Sequence, residues 1–343
     1  MSRLRFSLVG CGMRGVRDPS SIAKVIMSMP EAELVAIADA DPARAKAAAE
    51  HLGLPESAWS DYPSLLARDD VEAVYVVTPN FAHAENAIQA LAAGKHTLLV
   101  KPMALTLSDA DRVNEVARKS GCTLMIDTQL PFSPIALAAR DLIREGAIGQ
   151  PVTTWTIHGR GKYRPGDGAW RFTERSGGIF FETLIHNLLF QRWILDRPIA
   201  RRVWAWGEKT FFKDYAYPDV VWAQVEFEGG LSILLGENHL MDRNFQTAAI
   251  VGTEDSLFFE HHRLLLGGKS KNPTPVVEID PASLTATSFS AASIRHFIDC
   301  VQNHRSPEIT GEDGRAALEL GLAANQAIVT KTPVDLPLMP QPA

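Results

Sequence analysis

A glycine-rich turn near the amino terminus constrains the fold of this chain more than any other feature. A short apolar run, Leu4–Val9, leads directly into the turn, and an apolar stripe at helical spacing begins at Ile22. A strand, closely spaced glycines and a helix together form a unit in which backbone N–H groups point out of the turn. Asp18-Pro19 is the predicted cap and first residue of the helix. The G-x-G-x-x-G turn consists of Gly10, Gly12, Met13, Arg14 and Gly15 with their intervening cysteine.

Residues 1–127 alternate between short apolar strands and helices. The strands are continuous apolar runs, which is typical of strands that helices cover on both faces. The helices between them are long enough for right-handed crossovers. We therefore predict a parallel α/β sheet in a first domain of residues 1–127. The strands expected after the first are Leu34–Ala38, Val71–Val77, Thr97–Val100 and Thr123–Ile126.

The pattern changes after about residue 130, where runs of alternating polarity replace the continuous apolar ones. Val220–Phe227 and Leu231–Leu235 are joined by Glu228-Gly229-Gly230, which indicates a hairpin. We predict a second, α+β domain of residues 128–343 with a large, mostly antiparallel sheet and helices on one face. The two helices that end the chain are expected either to stay in this domain or to pack back on the first.

Composition excludes several classes of function. The formal net charge is −6, so the chain offers no basic surface for a nucleic-acid backbone. No run approaches the ~20 apolar residues of a membrane span. Cys11, Cys122 and Cys300 are too far apart for a metal or disulfide motif, which favours a reducing cytoplasm. His261-His262 would point to opposite faces of a strand, so we predict no metal site.

An acidic residue stands where the second predicted strand ends. Asp39 follows the run Leu34–Ala38, and the nearest arginine along the chain is Arg44. A carboxylate at this point accepts hydrogen bonds from the ribose hydroxyls of an adenine dinucleotide and repels a 2′-phosphate. Together with the glycine turn, Asp39 predicts a dinucleotide site that prefers NAD to NADP.

Further motifs follow in a fixed order along nearly the whole chain. They are Thr78-Pro79-Asn80 followed by His83, Ala93-Gly94-Lys95-His96, Lys101-Pro102, Gly146 with Ile148-Gly149, Ser176-Gly177-Gly178, the helix bearing His186, and Gly311-Glu312-Asp313-Gly314. With these motifs the chain resembles the Gfo/Idh/MocA family of oxidoreductases.

The resemblance implies a Rossmann domain, a larger α+β domain with an open sheet, and active sites between the two. It implies NAD(P)-linked oxidation or reduction of a sugar, a polyol or a related compound. Homodimers and homotetramers built through the open sheets are common in the family, so we expect a homo-oligomer. The residues implied to contact the cofactor, besides the glycine turn and Asp39, are Thr78, Pro79, Asn80, His83, Lys101, Pro102 and Gln129.

The resemblance also implies the residues that handle the proton. Lys101 matches the family's lysine, which sits where nicotinamide and substrate meet and can position the reacting hydroxyl. His186 matches the family's histidine, and Glu182 lies four residues before it on the same predicted helix face. The family usually has aspartate at position 182 and glutamate at position 100, where this chain has Glu182 and Val100.

A basic and aromatic stretch separates the first strand of the second domain from the predicted catalytic helix. Tyr163, Trp170 and Arg171 in this stretch suit stacking on a sugar ring and binding of hydroxyls, and Gln129, Lys101 and His186 are expected to meet the same substrate. A solvated loop explains the stretch equally well.

Three functions remain compatible with these residues. The leading hypothesis is a reversible dehydrogenase. The second is a glycoside-cleaving enzyme that uses a bound NAD transiently, as some relatives of the family do. The third is a sugar- or cofactor-sensing protein without catalysis, which Val100 and Glu182 favour and which the retained Lys101 and His186 oppose.

Overall fold

The structure is a computed structural model that describes residues 3–161, 169–241, 244–260, 262–267, 274–280 and 286–338. The chain divides into two compact units. The first unit comprises Met1–Gln129 and Thr285–Arg315, and the second comprises Leu130–Leu284 and Ala316–Ala343. The chain thus returns to the first unit after it has formed most of the second.

The first unit contains a six-stranded sheet in which every pairing is parallel. Its strands are β1 (Leu4–Val9), β2 (Ala32–Ala38), β3 (Ala58–Trp59), β4 (Ala73–Val76), β5 (His96–Val100) and β6 (Leu124–Asp127). The spatial order β3-β2-β1-β4-β5-β6 reverses direction between β1 and β4. In such sheets ligands bind outside the carboxyl ends of the strands at that reversal. The predicted α/β Rossmann fold is confirmed.

Five helices connect these strands: α1 (Ile22–Ser28), α2 (Pro42–Leu52), α3 (Tyr62–Leu66), α4 (His83–Ala92) and α5 (Leu107–Ser120). The predicted start of α1 at Asp18-Pro19 is wrong, because α1 begins at Ile22 and the Asp18 carboxylate accepts hydrogen bonds from the N–H and hydroxyl of Ser20. α2 is capped by Asp41, whose side chain accepts from two backbone N–H groups of the first turn.

The second unit contains a nine-stranded sheet, the helices α6 (Pro134–Arg144) and α7 (Ile185–Ile194), and most of a later helix described below. Its strands are β7 (Pro151–Gly161), β8 (Ala200–Glu208), β9 (Val220–Phe227), β10 (Ser232–Met241), β11 (Phe245–Gly252), β12 (Ser256–Phe259), β13 (Arg263–Leu266), β14 (Thr274–Glu278) and β15 (Val334–Asp335). Among the described strands only β7 and β10 pair in parallel, so the sheet is mostly antiparallel, as predicted.

One face of this sheet is covered and the other is open. On the covered face, Gln191 of α7 bonds the hydroxyls of Thr154 and Thr156 in β7, at 2.9 and 3.0 Å. The open face carries exposed apolar side chains. The most exposed of those named here is Trp206, at 51%. The others among these are Val152, Trp204, Trp222 and Leu234.

Two long helices lie near the carboxyl end of the chain, α8 (Ala286–Gln302) and α9 (Gly311–Thr330). α8 belongs to the first unit, where the ring of its Phe297 packs 6.0 Å from the ring of Phe6 in β1. α9 begins in the first unit and continues into the second. Among the described residues, no helix combines the length and the apolar character needed to cross a membrane.

Candidate active site

The glycine turn after β1 is held by close backbone packing at two of its three glycines. Gly10 has a φ of +106°, and a Cβ there would lie 2.4 Å from the carbonyl oxygen of Val77. A Cβ on Gly15 would lie 2.0 Å from the carbonyl oxygen of Gly10, whereas one on Gly12 would meet nothing within 4 Å. The turn therefore leaves open space at its second glycine, where a pyrophosphate needs to approach the backbone. This geometry fits a bound dinucleotide.

A π-helical turn, Met13–Arg17, follows Gly12, includes Gly15 and leads toward α1. Its first residues include Arg14, whose guanidinium donates to the Ser290 hydroxyl of α8 at 2.7 Å and to the Ser20 carbonyl at 3.4 Å. π-turns are rare and occur often at functional sites. Arg14 is thus anchored to α8 beside the turn, and its contact with the cofactor stays a prediction, as does that of Met13.

Asp39 secures the turn from the end of β2. One carboxylate oxygen accepts from the Cys11 N–H at 2.9 Å, and the other accepts from the Asp41 N–H at 2.9 Å. Arg44 lies 3.3 Å from the second oxygen, so the fold brings to Asp39 the arginine that follows it along the chain. Burial, with a contribution from Asp39, raises the pKa of the Cys11 thiol to about 12, which keeps it protonated.

His83 joins the loops that follow β4 and β5. Its Nδ1 lies 2.6 Å from the carbonyl oxygen of Pro102, and its Nε2 lies 2.7 Å from that of Thr78. Both contacts are hydrogen bonds only when the ring carries two protons, because a carbonyl oxygen can only accept. The structure thus brings together three of the predicted cofactor residues, while Asn80 lies buried nearby in the turn after Pro79.

Lys101 follows β5 and is bonded through its backbone to the neighbouring strand. Its N–H donates to the Asp127 carbonyl oxygen at 3.3 Å, and its peptide bond to Pro102 is cis. Asp127 ends β6 fully buried, and its carboxylate accepts from Tyr75, Ser293 and Gln129. Burial, together with the Asp127 charge, raises the pKa of Tyr75 well above its ordinary value.

The sequence interpretation missed Asp127, although it singled out its neighbour Gln129. The available signal was an acidic residue at the end of an otherwise apolar strand. A carboxylate in that position has to find donors or remain in contact with solvent.

In the second unit, Glu182 and Arg171 form an ion pair. Glu182 is buried in a π-helical turn, Phe180–Leu184, that leads into α7, and Arg171 donates to its Oε1 through Nη1. The Arg171 guanidinium also stacks over the Trp170 ring at 5.1 Å from its centroid. The structure thus joins one predicted substrate residue to the predicted partner of His186.

His186 is the second residue of α7 and is partly buried. Its pairing with Glu182 stays a prediction. Tyr163, expected to contact substrate, lies outside the described residues.

A buried carboxylate on the covered face of the second sheet was also missed. Glu237 of β10 lies 3.2 Å from Nε of Arg160, and 3.4 Å from both Nδ1 of His158 and Nε2 of His239. Burial alone would raise its pKa, but the two histidines and Arg160 hold the pKa of Glu237 below its ordinary value. The available signal was the spacing of two residues on each of two strands, which puts the two side chains of each strand on one face. The described residues contain no group of three or more ligands that could hold a metal ion.

Both parts of the chain match known protein families. Residues 4–128 match the oxidoreductase family with an NAD-binding Rossmann fold, and residues 136–258 match the GFO/IDH/MocA C-terminal domain. The scyllo-inositol 2-dehydrogenase (NAD(+)) of Bacillus subtilis is 27% identical over 97% of this chain and 96% of its own length. The 1,5-anhydro-D-fructose reductase of Ensifer adhaerens is 30% identical over 87% of this chain and 89% of its own.

Solved structures share the whole architecture. A levoglucosan dehydrogenase in complex with NADH and L-sorbose superposes with a TM-score of 0.87, covering 99% of this chain and 100% of its own at 22% identity. At that identity the likeness concerns the fold alone.

Fold, glycine turn and family matches together define an NAD-dependent oxidoreductase, a dehydrogenase or reductase acting on CH–OH. The chain belongs to the Gfo/Idh/MocA family. The predictions of family, enzyme class and NAD as cofactor are confirmed.

Proposed function

We propose that this enzyme oxidises or reduces a secondary alcohol or carbonyl of a sugar or polyol. The observation that carries the proposal is that Lys101 and the glycine turn both lie at the carboxyl ends of the parallel strands. The turn follows β1 and Lys101 follows β5. The names of two relatives, an inositol dehydrogenase and an anhydrofructose reductase, support a polyhydroxylated substrate.

Lys101 and His186 are the proposed proton-handling residues. Bound NAD supplies the acceptor for the hydride that leaves the alcohol carbon. Lys101 holds the reacting hydroxyl by a hydrogen bond to its oxygen, and the imidazole of His186 takes up the hydroxyl proton or returns it in the opposite direction. Glu182 orients His186 in this proposal, while Arg171 neutralises Glu182 through the observed ion pair.

The proposed cofactor residues follow the carboxyl ends of the strands of the first sheet: Gly10, Gly12, Met13, Arg14, Gly15, Asp39, Thr78, Pro79, Asn80, His83, Lys101, Pro102 and Gln129. Of these, Asp39 receives the adenosine ribose, and Gly12 leaves the room that the pyrophosphate needs. Tyr163, Trp170 and Arg171 are proposed to contact the substrate.

The open face of the second sheet supports a homo-oligomer as the working form. Its exposed tryptophans lie on adjacent strands, with Trp206 of β8 directly opposite Trp222 of β9. Contiguous exposed apolar surface of this kind marks interaction sites, and a self-complementary sheet face suits a two-fold contact with a second copy.

A reducing compartment fits the three cysteines. All are free, and burial raises the pKa of both Cys11 and Cys300, which makes their thiols poor partners for exchange. We propose the cytoplasm as the site of action.

The test is a screen of inositols, pentoses, hexoses and uronates with NAD and NADP side by side, followed by NADH absorbance. We expect turnover of at least one polyol or sugar, with NAD preferred. Lys101→Ala should abolish that turnover and leave NADH binding, followed by fluorescence, within about threefold of the parent because the turn and Asp39 are unchanged. Turnover retained by Lys101→Ala would refute its role, and glycoside cleavage without net NADH would refute the dehydrogenase assignment.

A further inference from the structure

The buried side chain of Asp127 accepts three hydrogen bonds at the candidate site, and it has no part in the proton handling proposed above. Its Oδ1 accepts from the Ser293 hydroxyl of α8 at 2.5 Å, and its Oδ2 accepts from the Tyr75 hydroxyl of β4 and from Nε2 of Gln129 at 3.0 Å. Its backbone carbonyl accepts from the Lys101 N–H. One buried residue is therefore bonded to both Lys101 and Gln129.

The contact with Asp127 determines which way the Gln129 amide faces. A glutamine amide offers donors on its nitrogen and an acceptor on its oxygen, whereas a carboxylate only accepts. The group that meets Asp127 must therefore be the nitrogen, and Oε1 lies on the other branch of the same planar amide. Among the described residues nothing donates to Oε1, and Gln129 is only partly buried.

We propose that Asp127 is a positioning residue that holds the Gln129 amide with Oε1 presented as an acceptor to an O–H or N–H group of the bound molecules. The inference rests on the proposed function, and it narrows the substrate class. An acceptor at this point attracts a hydroxyl and repels a carboxylate, so it selects neutral polyols and sugars over sugar acids. The same acceptor chemistry suits the carboxamide N–H of the nicotinamide.

The test first removes the donor of the Asp127–Gln129 pair with one substitution and then exchanges donor and acceptor with a second. Gln129→Glu places two carboxyl groups within hydrogen-bond distance, where both cannot ionise together. We expect kcat/KM for the best polyol to fall about 100-fold. Adding Asp127→Asn places an amide nitrogen at the position of Oδ2, where it donates to the carboxylate introduced at position 129 and to the Tyr75 hydroxyl oxygen, while the amide oxygen still accepts from Ser293. The double variant should therefore recover to within about tenfold of the parent.

Two arms distinguish the group that Oε1 recognises. If KM for the polyol rises in Gln129→Glu and the NADH dissociation constant does not, the partner is a substrate hydroxyl. If the NADH dissociation constant rises instead, the partner is the carboxamide. Either result supports the acceptor role, whereas an unchanged KM together with an unchanged dissociation constant overturns it.

Thermal unfolding separates this inference from the proposed function. Gln129→Glu should lower Tm and the double variant should restore it, whether or not the enzyme acts on a polyol. A parent enzyme without turnover on any polyol or sugar would refute the proposed function and leave this Tm test intact. A double variant no better than Gln129→Glu in both Tm and kcat/KM would overturn the inference.

The matched control is Gln89→Glu. Gln89 donates through Nε2 to Glu85 at 2.8 Å on the exposed face of α4, so this change creates the same pair of carboxyl groups in solvent. We expect kcat/KM to stay within about twofold of the parent, because exposed charge pairs contribute little.

Discussion

In the first unit the polar side chains of the candidate site stand at strand ends, whereas the Glu237 cluster of the second unit stands on the face of a sheet. Asp39, Lys101 and Asp127 end or follow β2, β5 and β6. His158 and Glu237, by contrast, pair directly across the parallel strands β7 and β10. Strand ends leave backbone N–H groups available as donors, whereas within a ladder the backbone is already paired.

This difference decides how each buried carboxylate is satisfied. Asp39 and Asp127 accept mainly from N–H and O–H groups that carry no charge, although Arg44 approaches Asp39 from the surface. Glu237 instead depends on Arg160 and two imidazoles. Loss of a carboxylate in the second unit therefore leaves a cation behind, and loss in the first leaves neutral donors. The first unit should be sensitive to backbone shape and the second to charge.

Gly15→Ala tests the dependence of the first unit on backbone shape, and we expect the largest effect here. Its Cβ would lie 2.0 Å from a backbone oxygen that cannot move without moving β1. We expect a loss of about 3 kcal/mol in the free energy of unfolding and a loss of NADH affinity of about 100-fold or more. Urea denaturation and NADH fluorescence measure the two quantities.

Gly12→Ala is the matched variant for that test. Its Cβ would meet no protein atom within 4 Å, so the free energy of unfolding should change by less than about 1 kcal/mol. NADH affinity should still fall, because the methyl group occupies space that the pyrophosphate needs. NADH binding equal to that of the parent would show that this space does not belong to the cofactor.

Glu237→Gln tests the dependence of the second unit on charge. The substitution keeps the shape but removes the charge that faces Arg160, so we expect the free energy of unfolding to fall by about 2 kcal/mol. Glu228→Gln is the control, because Glu228 pairs with Arg201 at 3.0 Å on the surface and should contribute no more than about 1 kcal/mol. Equal effects of the two substitutions on urea denaturation would contradict the comparison.

How much of the molecule the sequence could predict depends on whether the contacts join residues that are near one another along the chain. The five predicted Rossmann strands, the glycine turn and Asp39 depend on patterns contiguous in sequence, and they lie where expected to within two residues at each strand end. The Asp127 contacts depend on α8, which arrives from more than 150 residues away along the chain. No local pattern specifies that Ser293 will lie against β6.

Short strands could not be predicted, because they contain too few residues to show a pattern. β3 has only two residues, and β12 to β14 have four or five each, so their periodicity does not rise above that of a loop. Helix starts were misplaced where several capping residues compete. Asp18-Pro19 is a plausible start of α1 from sequence, but the helix begins at Ile22. The Glu237 cluster required the register between β7 and β10, which the sequence does not reveal.

The smallest expected effect concerns pH, where the two units should respond in different ranges. Burial lowers the pKa of His96 and His296 in the first unit. Beside His96, His304 adds to this and Glu72 opposes it; beside His296, Arg305 adds to it and Glu308 opposes it. A histidine whose folded pKa is lowered contributes stability that is complete above its unfolded pKa of 6.5 and is lost as pH falls toward the folded pKa. Glu237 behaves in the same sense, but only below its ordinary value of 4.5.

Hydrogen exchange between pH 7 and 5, corrected for intrinsic rates, should therefore show the first unit losing protection while the second keeps it. Both imidazoles accept from a backbone N–H, His96 through Nδ1 from Thr123 and His296 through Nε2 from Glu308, each at 3.0 Å. His96→Asn and His296→Gln supply an oxygen at those positions that does not titrate in this range. Together they should remove the pH dependence of the first unit and leave that of the second unchanged. If protection in the double variant still falls with pH as in the parent, other groups cause the effect and this contrast between the units is wrong.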